Sequence, residues 1–363
     1  MFSKKLKNIE VSVIKQMELA ARKYDNVISL AQGIPSFDTP EYIKERVKEA
    51  LDRGVTARYS IVYGIAPLRE AIAEQLRKEQ NIFIDQDKEI VITVGAAEAL
   101  ASTFISLCDP GDEVIIVAPS YASYTEMIKI AGAVPIEASL DEAQGWKLSV
   151  ENLKEKKSPK TKAILMCNPN NPTGTVYSKE DLLAVGRWAQ KEGLYVIVDE
   201  VYRDFMYESE VQYYSLAEEQ DLKDTVVRIF SFSKLFAMTG WRVGYITSSE
   251  KNITEIIKTH DSLVTCAPVI SQYAALASLS ITKKEIDDHL LEYKERRDVI
   301  CKRLNDMQDF FSFHMPKSTY FVFAKIEKDS TRLSKEWCLD ILDKVQVATV
   351  PGSAFGETGE GHI

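Results

Sequence analysis

What the 363-residue chain lacks narrows it first. No segment approaches the roughly 20 consecutive apolar residues of a membrane helix, and the N-terminal stretch MFSKKLKNIEVSVIKQMELAARKY has no uninterrupted apolar core of signal-peptide length. A protein that neither spans a membrane nor is exported is expected. The five cysteines, Cys108, Cys167, Cys266, Cys301 and Cys338, are odd in number and widely spaced, so they make neither a CxxC metal pair nor a disulfide framework, and a reducing cytoplasm fits them. The four histidines, His260, His289, His314 and His362, show no HExxH or paired spacing, and no metal is expected. No GxGxxG follows a strand-like run, and GxxxxGK[ST] and GxSxG are absent, which removes the usual support for dinucleotide, P-loop and α/β-hydrolase sites. Forty-five basic against 54 acidic residues give a net charge of -9, with both signs mixed along the chain, so no nucleic-acid partner is expected.

What is present reads as α/β. Six β-rich runs recur: EIVITV (89–94), EVIIVA (113–118), KAILMC (162–167), YVIVDEV (195–201), VVRIFSFS (226–233) and RVGYITS (242–248). Several are nearly continuous in apolar residues, as strands are when helices cover both faces of a mostly parallel sheet. Amphipathic stretches lie between most of them, such as KEDLLAVGRWAQKEG (179–193), where Leu182, Leu183, Val185 and Trp188 share a face and Gly193 closes the helix. FDTPEYIKERVKEALDRG predicts a helix capped by Asp38 or Thr39, with Pro40 in its first turn and Gly54 at its end. After about residue 265 the pattern changes to a long charged helix (289–307), short strands around 319–326 and a helix around 334–345. The expected architecture is a large domain over 36–265, with a mostly parallel mixed sheet flanked by helices, and a smaller α+β domain from 1–35 and 266–363.

Candidate chemistry collects where these strands end. Lys234 lies in SFSKLFAMTGWRVGY, among the small hydroxyl residues Ser231, Ser233 and Thr239. A lone lysine is ordinarily a solvated surface charge, yet ligands of open α/β sheets bind at the carboxyl ends of strands, and partial desolvation there lowers an amine's pKa. Asp199 ends an apolar run; as a central-strand residue it needs a positive partner, such as a protonated pyridine nitrogen, unless it only caps the next helix. NPNNPTG (168–174) is a turn by composition, informative because Asn171 would face the same edge. TVGAAEAL (93–100) leaves the backbone amides of Ala96 and Ala97 free at a helix N-terminus, where phosphate is attracted, although a single glycine also serves simple turning. Arg242 could grip the same phosphate or make a surface salt bridge. Tyr121, in APSYASY, offers a ring for stacking or for a core, and Tyr202 could point its hydroxyl at the ligand or merely pack. A lysine, a strand-end carboxylate and a later arginine are the parts needed to hold pyridoxal 5′-phosphate as a Schiff base.

In their order, TVGAAEAL, APSYASY, NPNNPTG, VDEVY and SFSKLFAMTGWRVGY resemble the fold type I pyridoxal-phosphate aminotransferases of class I/II, over nearly the whole chain. The resemblance implies that Lys234 carries the cofactor and moves the proton, and that Asp199 binds the pyridine nitrogen. It also implies that Asn171 and Tyr202 bind the phenolic oxygen, that Tyr121 stacks on the ring, and that Ala96, Ala97, Ser231, Ser233 and Arg242 surround the phosphate. Tyr59 would reach the phosphate of a neighbouring subunit, which implies a homodimer, and Gly33 with Asn171 would border the substrate. The implied activity is transfer of an amino group from an L-amino acid, aromatic, aspartate or broad, to a 2-oxo acid such as 2-oxoglutarate by a ping-pong mechanism.

One departure stands out. Members of the family usually continue past a segment like PGSAFGETGEGHI into a strand whose arginine clamps the substrate carboxylate, and the sequence stops at Ile363, so an incomplete small domain without that clamp is expected. A β-eliminating C-S lyase on the same fold and an inactive cofactor-binding remnant stay open beside the transaminase. A sensor with a DNA-binding module in front is disfavoured, because only about 30 residues precede the first large-domain motif. Where some aspartate-preferring relatives carry a lysine, this chain has Ala97, which tilts the expectation toward aromatic or broad specificity.

Overall fold

Valine, isoleucine and other residues that suit a pleated, buried surface fill the runs that form strands. A computed structural model describes residue 9, residues 11–328 and residues 331–363. Residues 1–8 and 10, where the expected small domain begins, and residues 329 and 330 within it, lie outside the described residues. In chain order the strands are β1 (Ile28–Ser29), β2 (Ile90–Thr93), β3 (Glu113–Ala118), β4 (Val134–Ser139), β5 (Thr161–Cys167), β6 (Tyr195–Asp199), β7 (Val226–Ser231), β8 (Gly244–Thr247), β9 (Phe311–Phe313), β10 (Ala324–Ile326) and β11 (Val347–Ala348).

Seven of them make the central sheet, in the order β2-β8-β7-β6-β5-β3-β4. Its pairings are parallel except those of β8, which runs antiparallel to both β2 and β7. The protein is therefore α/β, with the mostly parallel mixed sheet expected from the apolar runs. Strand alternation feeds two cores: along β5, Ala163, Leu165 and Cys167 enter one, while Ile164 and Met166 enter the other. Because β8 runs backwards, its first residues lie at the same sheet edge as the carboxyl ends of β2 and β7, with Gly244 opposite both Thr93 and Ser231.

Four local expectations need correction. A seventh strand of the sheet, β4, has no counterpart among the six expected runs. It is the edge strand, and Pro135 and Glu137 interrupt its apolar pattern, which an edge tolerates. The helix expected from Asp38 or Thr39 spans Glu41–Asp52, with Pro40 itself at the cap and no side-chain cap bond. Thr39 instead donates its hydroxyl to the Ala237 carbonyl at 2.9 Å, and Asp38 accepts from the Thr39 amide and from Lys44. The strands expected over 319–326 reduce to β10, because Thr319 takes a left-handed φ of 64° that turns the chain before any ladder can form. The long charged helix starts at Lys283 rather than near 289, where Thr282 and Glu285 form a reciprocal cap.

Segments from both ends of the chain meet. β1 pairs in parallel with β11, and Met17 of the helix Val13–Ala21 packs with Cys338 and Leu342 of the helix Ser334–Val345. All five cysteines are free and buried. Among the described residues, no helix is long and apolar enough to cross a membrane.

Candidate active site

The sheet edge described above gathers most of the chemically distinctive side chains. β6 is apolar until its last residue, Asp199, which is 4% exposed. Its Oδ2 accepts the Tyr124 hydroxyl at 2.7 Å, and its Oδ1 accepts the Val201 amide at 3.2 Å. Burial lifts the carboxyl to about 6, while Tyr124, Val201 and the Lys234 cation pull the other way. The next residue, Glu200, pairs with Arg228 on β7; both are buried, and Ser215 also donates to Glu200. Removing either partner would leave an uncompensated buried charge beside the site.

Lys234 follows β7 by three residues, and its Nζ donates to the Gly33 carbonyl at 2.8 Å. Burial lowers the amine to about 8; Asp199 raises it and Arg242 lowers it further. The Nζ stands 5.8 Å from the Tyr202 ring centre and 5.7 Å from that of Tyr320. Tyr320 donates its hydroxyl to the same Gly33 carbonyl at 2.7 Å. Tyr202 is buried, edge-on to Tyr320 and Phe321.

The Asn168–Gly174 turn is knitted by its own groups: the Asn170 amide donates to the Thr175 carbonyl at 2.8 Å, and the Gly174 amide to the Asn170 carbonyl at 2.9 Å. Asn168 and Asn170 both have hydrogen-bonded side chains. Asn171 differs: it is buried, and its Oδ1 has no partner among the described residues. Buried polar atoms are seldom left alone, so this one marks a place for a ligand group.

Beside it the helix Gly95–Leu107 opens directly from β2. Gly95 has φ 73°, a left-handed value that glycine adopts without strain. Glu98 binds the Val94 amide at 3.0 Å, while the amides of the first turn have no acceptor within the helix. Ala96 is half-buried and Ala97 exposed. Arg242 covers this helix end: a Cβ on Gly95 would lie 2.7 Å from its Nη2. The guanidinium donates to the Thr239 carbonyl at 3.0 Å and is exposed without an acidic partner among the described residues, so it is not the surface salt bridge weighed from sequence. Ser231 and Ser233 are buried below it, joined hydroxyl to hydroxyl at 2.8 Å. Gly244 lets helix and sheet close up, since a Cβ there would meet the Phe230 carbonyl at 2.5 Å and the Ala96 amide nitrogen at 3.2 Å.

Tyr121 lies edge-on to Tyr124, with ring centres 5.4 Å apart. Tyr59 stands apart from the group, 83% exposed and without a hydrogen bond or ring contact among the described residues. The sequence reading passed over Tyr124, although it lies inside the quoted motif APSYASY three residues after Tyr121, and it passed over Tyr320, whose signal was the aromatic run TYFVF.

An amine and a buried carboxylate that feel each other's charge, an amide oxygen without a partner and an Arg242-covered helix end thus collect along one sheet edge. The chain belongs to the class I and II aminotransferases, whose family model matches residues 25–363. It is 39% identical to an aspartate aminotransferase of Pyrococcus abyssi, over 99% of this chain and 92% of that protein. It is 36% identical to aromatic-amino-acid aminotransferase 2 of Thermococcus litoralis, with the same coverage of 99% and 92%. The solved aspartate aminotransferase of Thermus thermophilus superimposes with a TM-score of 0.91 at 30% identity, covering 100% of this chain and 94% of that one. The protein is thus a transaminase, of a family that depends on pyridoxal phosphate.

Proposed function

We propose that the chain holds pyridoxal 5′-phosphate at the described sheet edge and moves the amino group of an L-amino acid to a 2-oxo acid such as 2-oxoglutarate by a ping-pong mechanism. The observation that carries the reading is the convergence of Lys234, Asp199, the unpartnered Asn171 and the Arg242-covered helix end at one sheet edge of a class I and II aminotransferase chain. Bound there, the cofactor supplies an aldehyde for an amine and an electron-withdrawing ring that lets a proton leave an α carbon.

The residues fit that group in shape and charge. Asp199, a buried carboxylate costly to ionise alone, gains from a cation at the ring nitrogen. Asn171 and Tyr202 bind the phenolic oxygen by donating to it, through the Asn171 side-chain N–H and the Tyr202 hydroxyl. Tyr121 stacks on the ring, and Ala96, Ala97, Ser231, Ser233 and Arg242 take the phosphate. Tyr59, exposed on this chain, reaches the phosphate of a second copy, so the working unit is a homodimer. Residues 36–265 carry the cofactor, and the described residues of 1–35 and 266–363 make the smaller domain.

Lys234 acts twice. Its amine, lowered toward 8, is neutral often enough near physiological pH to hold the cofactor's aldehyde when that group is bound, and would, when free, take a proton from the substrate's α carbon. Gly33 borders the substrate through its carbonyl and keeps the free amine within reach, and Asn171 contacts the substrate's carboxylate side. The relatives named for aspartate and for aromatic amino acids point to donors of those kinds, and the Tyr320 ring beside Lys234, backed by Phe321, favours a flat side chain. The test is a panel of amino donors given without acceptor to the cofactor-loaded enzyme. Conversion to the amino form of the cofactor with aromatic donors or aspartate is expected, and none with any donor would contradict transamination.

A further inference from the structure

The carboxylate assigned to the ring nitrogen does not stand alone, and the group holding it has no part in the mechanism above. Tyr124 opens the helix Tyr124–Ala131, is 1% exposed, and donates its hydroxyl to Asp199 Oδ2 at 2.7 Å. The remaining oxygen, Oδ1, takes a single backbone amide, that of Val201, at 3.2 Å. Around the pair lie Cys167 of β5, which is opposite Asp199 in the sheet register, Glu200 just past the end of β6, Lys234 beyond β7, and the Tyr202 phenol. The Lys234 cation steadies the charge and Glu200 opposes it. Cys167 and Tyr202 are buried, and burial holds both well above their ordinary values, so they stay neutral. The Tyr124 hydroxyl is therefore the one neutral side-chain donor the structure gives this carboxylate among the described residues.

We propose that Tyr124 is a positioning residue for the cofactor: its phenol aims the Asp199 carboxylate and keeps it an anion, so that it can face a protonated ring nitrogen. This rests on the placement of the ring nitrogen at Asp199 given above. A hydrogen bond to a buried ionised group is worth more than one between neutral groups, and it favours the charged form. Without it, Asp199 takes up a proton at a higher pH and offers a neutral acid where a cation is to be held. Tyr124 acts through Asp199, the carboxylate it donates to.

The experiment is a spectroscopic binding titration of the cofactor-free protein between pH 5 and 9, with two ligands: pyridoxal 5′-phosphate and its carbon analogue, in which CH replaces the ring nitrogen. The phosphate's own second ionisation, at roughly pH 6, affects both ligands alike and cancels in the ratio of their affinities. In the wild type that ratio should favour the natural cofactor and fall as pH drops through about 6, where Asp199 protonates. In Tyr124→Phe the midpoint of the fall should move upward, and the ratio at pH 7.5 should drop roughly tenfold, while affinity for the carbon analogue stays unchanged. Tyr124→His, which keeps a ring and an N–H donor, should lie between the two and serves if the phenylalanine variant does not fold. A Tyr124→Phe ratio that superimposes on the wild type at every pH overturns the proposal, as does an equal loss for both ligands. If the wild type itself shows no preference for the nitrogen-bearing ligand, the placement of the ring nitrogen at Asp199 fails, and this proposal with it.

Discussion

Lys234 Nζ donates to the carbonyl of Gly33, 201 positions earlier in the chain, at 2.8 Å. The same carbonyl accepts the Tyr320 hydroxyl, and no side chain fits on Gly33: a Cβ would lie 2.7 Å from Phe321 Cζ and 3.2 Å from Tyr320 Cε2. Gly33→Ala should therefore push the carbonyl and the two rings apart. A misplacement of this kind costs roughly 10- to 100-fold in activity, and overpacking costs about 1–3 kcal/mol in stability. Steady-state kinetics with thermal unfolding checks this; wild-type kcat/KM in the variant would show that the contact is idle.

Gly244 is expected to be equally intolerant for a different reason. The atoms a Cβ would strike, the Phe230 carbonyl at 2.5 Å and the Gly95 carbonyl carbon at 3.1 Å, are backbone and cannot swing away. Gly244→Ala should separate β8 from the helix end assigned to phosphate. Cofactor affinity should weaken by more than about tenfold, with stability lower by about 1–3 kcal/mol. A cofactor titration beside a urea unfolding curve measures both.

The lysine amine should titrate early. In the cofactor-free protein its reaction with an amine-selective reagent, read at the Lys234 peptide, should rise through about pH 8 instead of the ordinary 10.5. Because Asp199 raises that value, Asp199→Asn should move the midpoint down; because Arg242 lowers it, Arg242→Gln should move it up. The sign for stability follows. The folded state binds this proton less tightly than the unfolded chain, so a penalty absent above about 10.5 grows as pH falls and is complete below about 8. Lys234→Met should accordingly stabilise the cofactor-free protein at pH 7 and do little at pH 10.5. A mutant melting no higher than wild type at pH 7 would contradict the burial of the amine.

Much of this was legible in the sequence because the chemistry sits where strands stop. Asp199 and Lys234 could be placed from the apolar runs before them, since a buried strand is a long, unmistakable signal. Gly193 closed its helix by the ordinary rules of capping, and the structure agrees. β4 escaped because an edge strand need not be apolar throughout. Tyr124 and Tyr320 escaped for another reason: a tyrosine in sequence says nothing of what its hydroxyl meets, and their partners lie 75 and 287 positions away. Thr319 hid the turn that presents Tyr320, because a left-handed threonine has no composition signature.

The covalent attachment tests the account most directly. The protein is incubated with pyridoxal 5′-phosphate, reduced with borohydride, digested and mapped by mass spectrometry, with Lys234→Ala carried alongside. Reduced cofactor on the peptide bearing Lys234, and no specific label in the variant, is the predicted result; no uptake of the cofactor, or a label on another lysine while Lys234 stays bare, would contradict it.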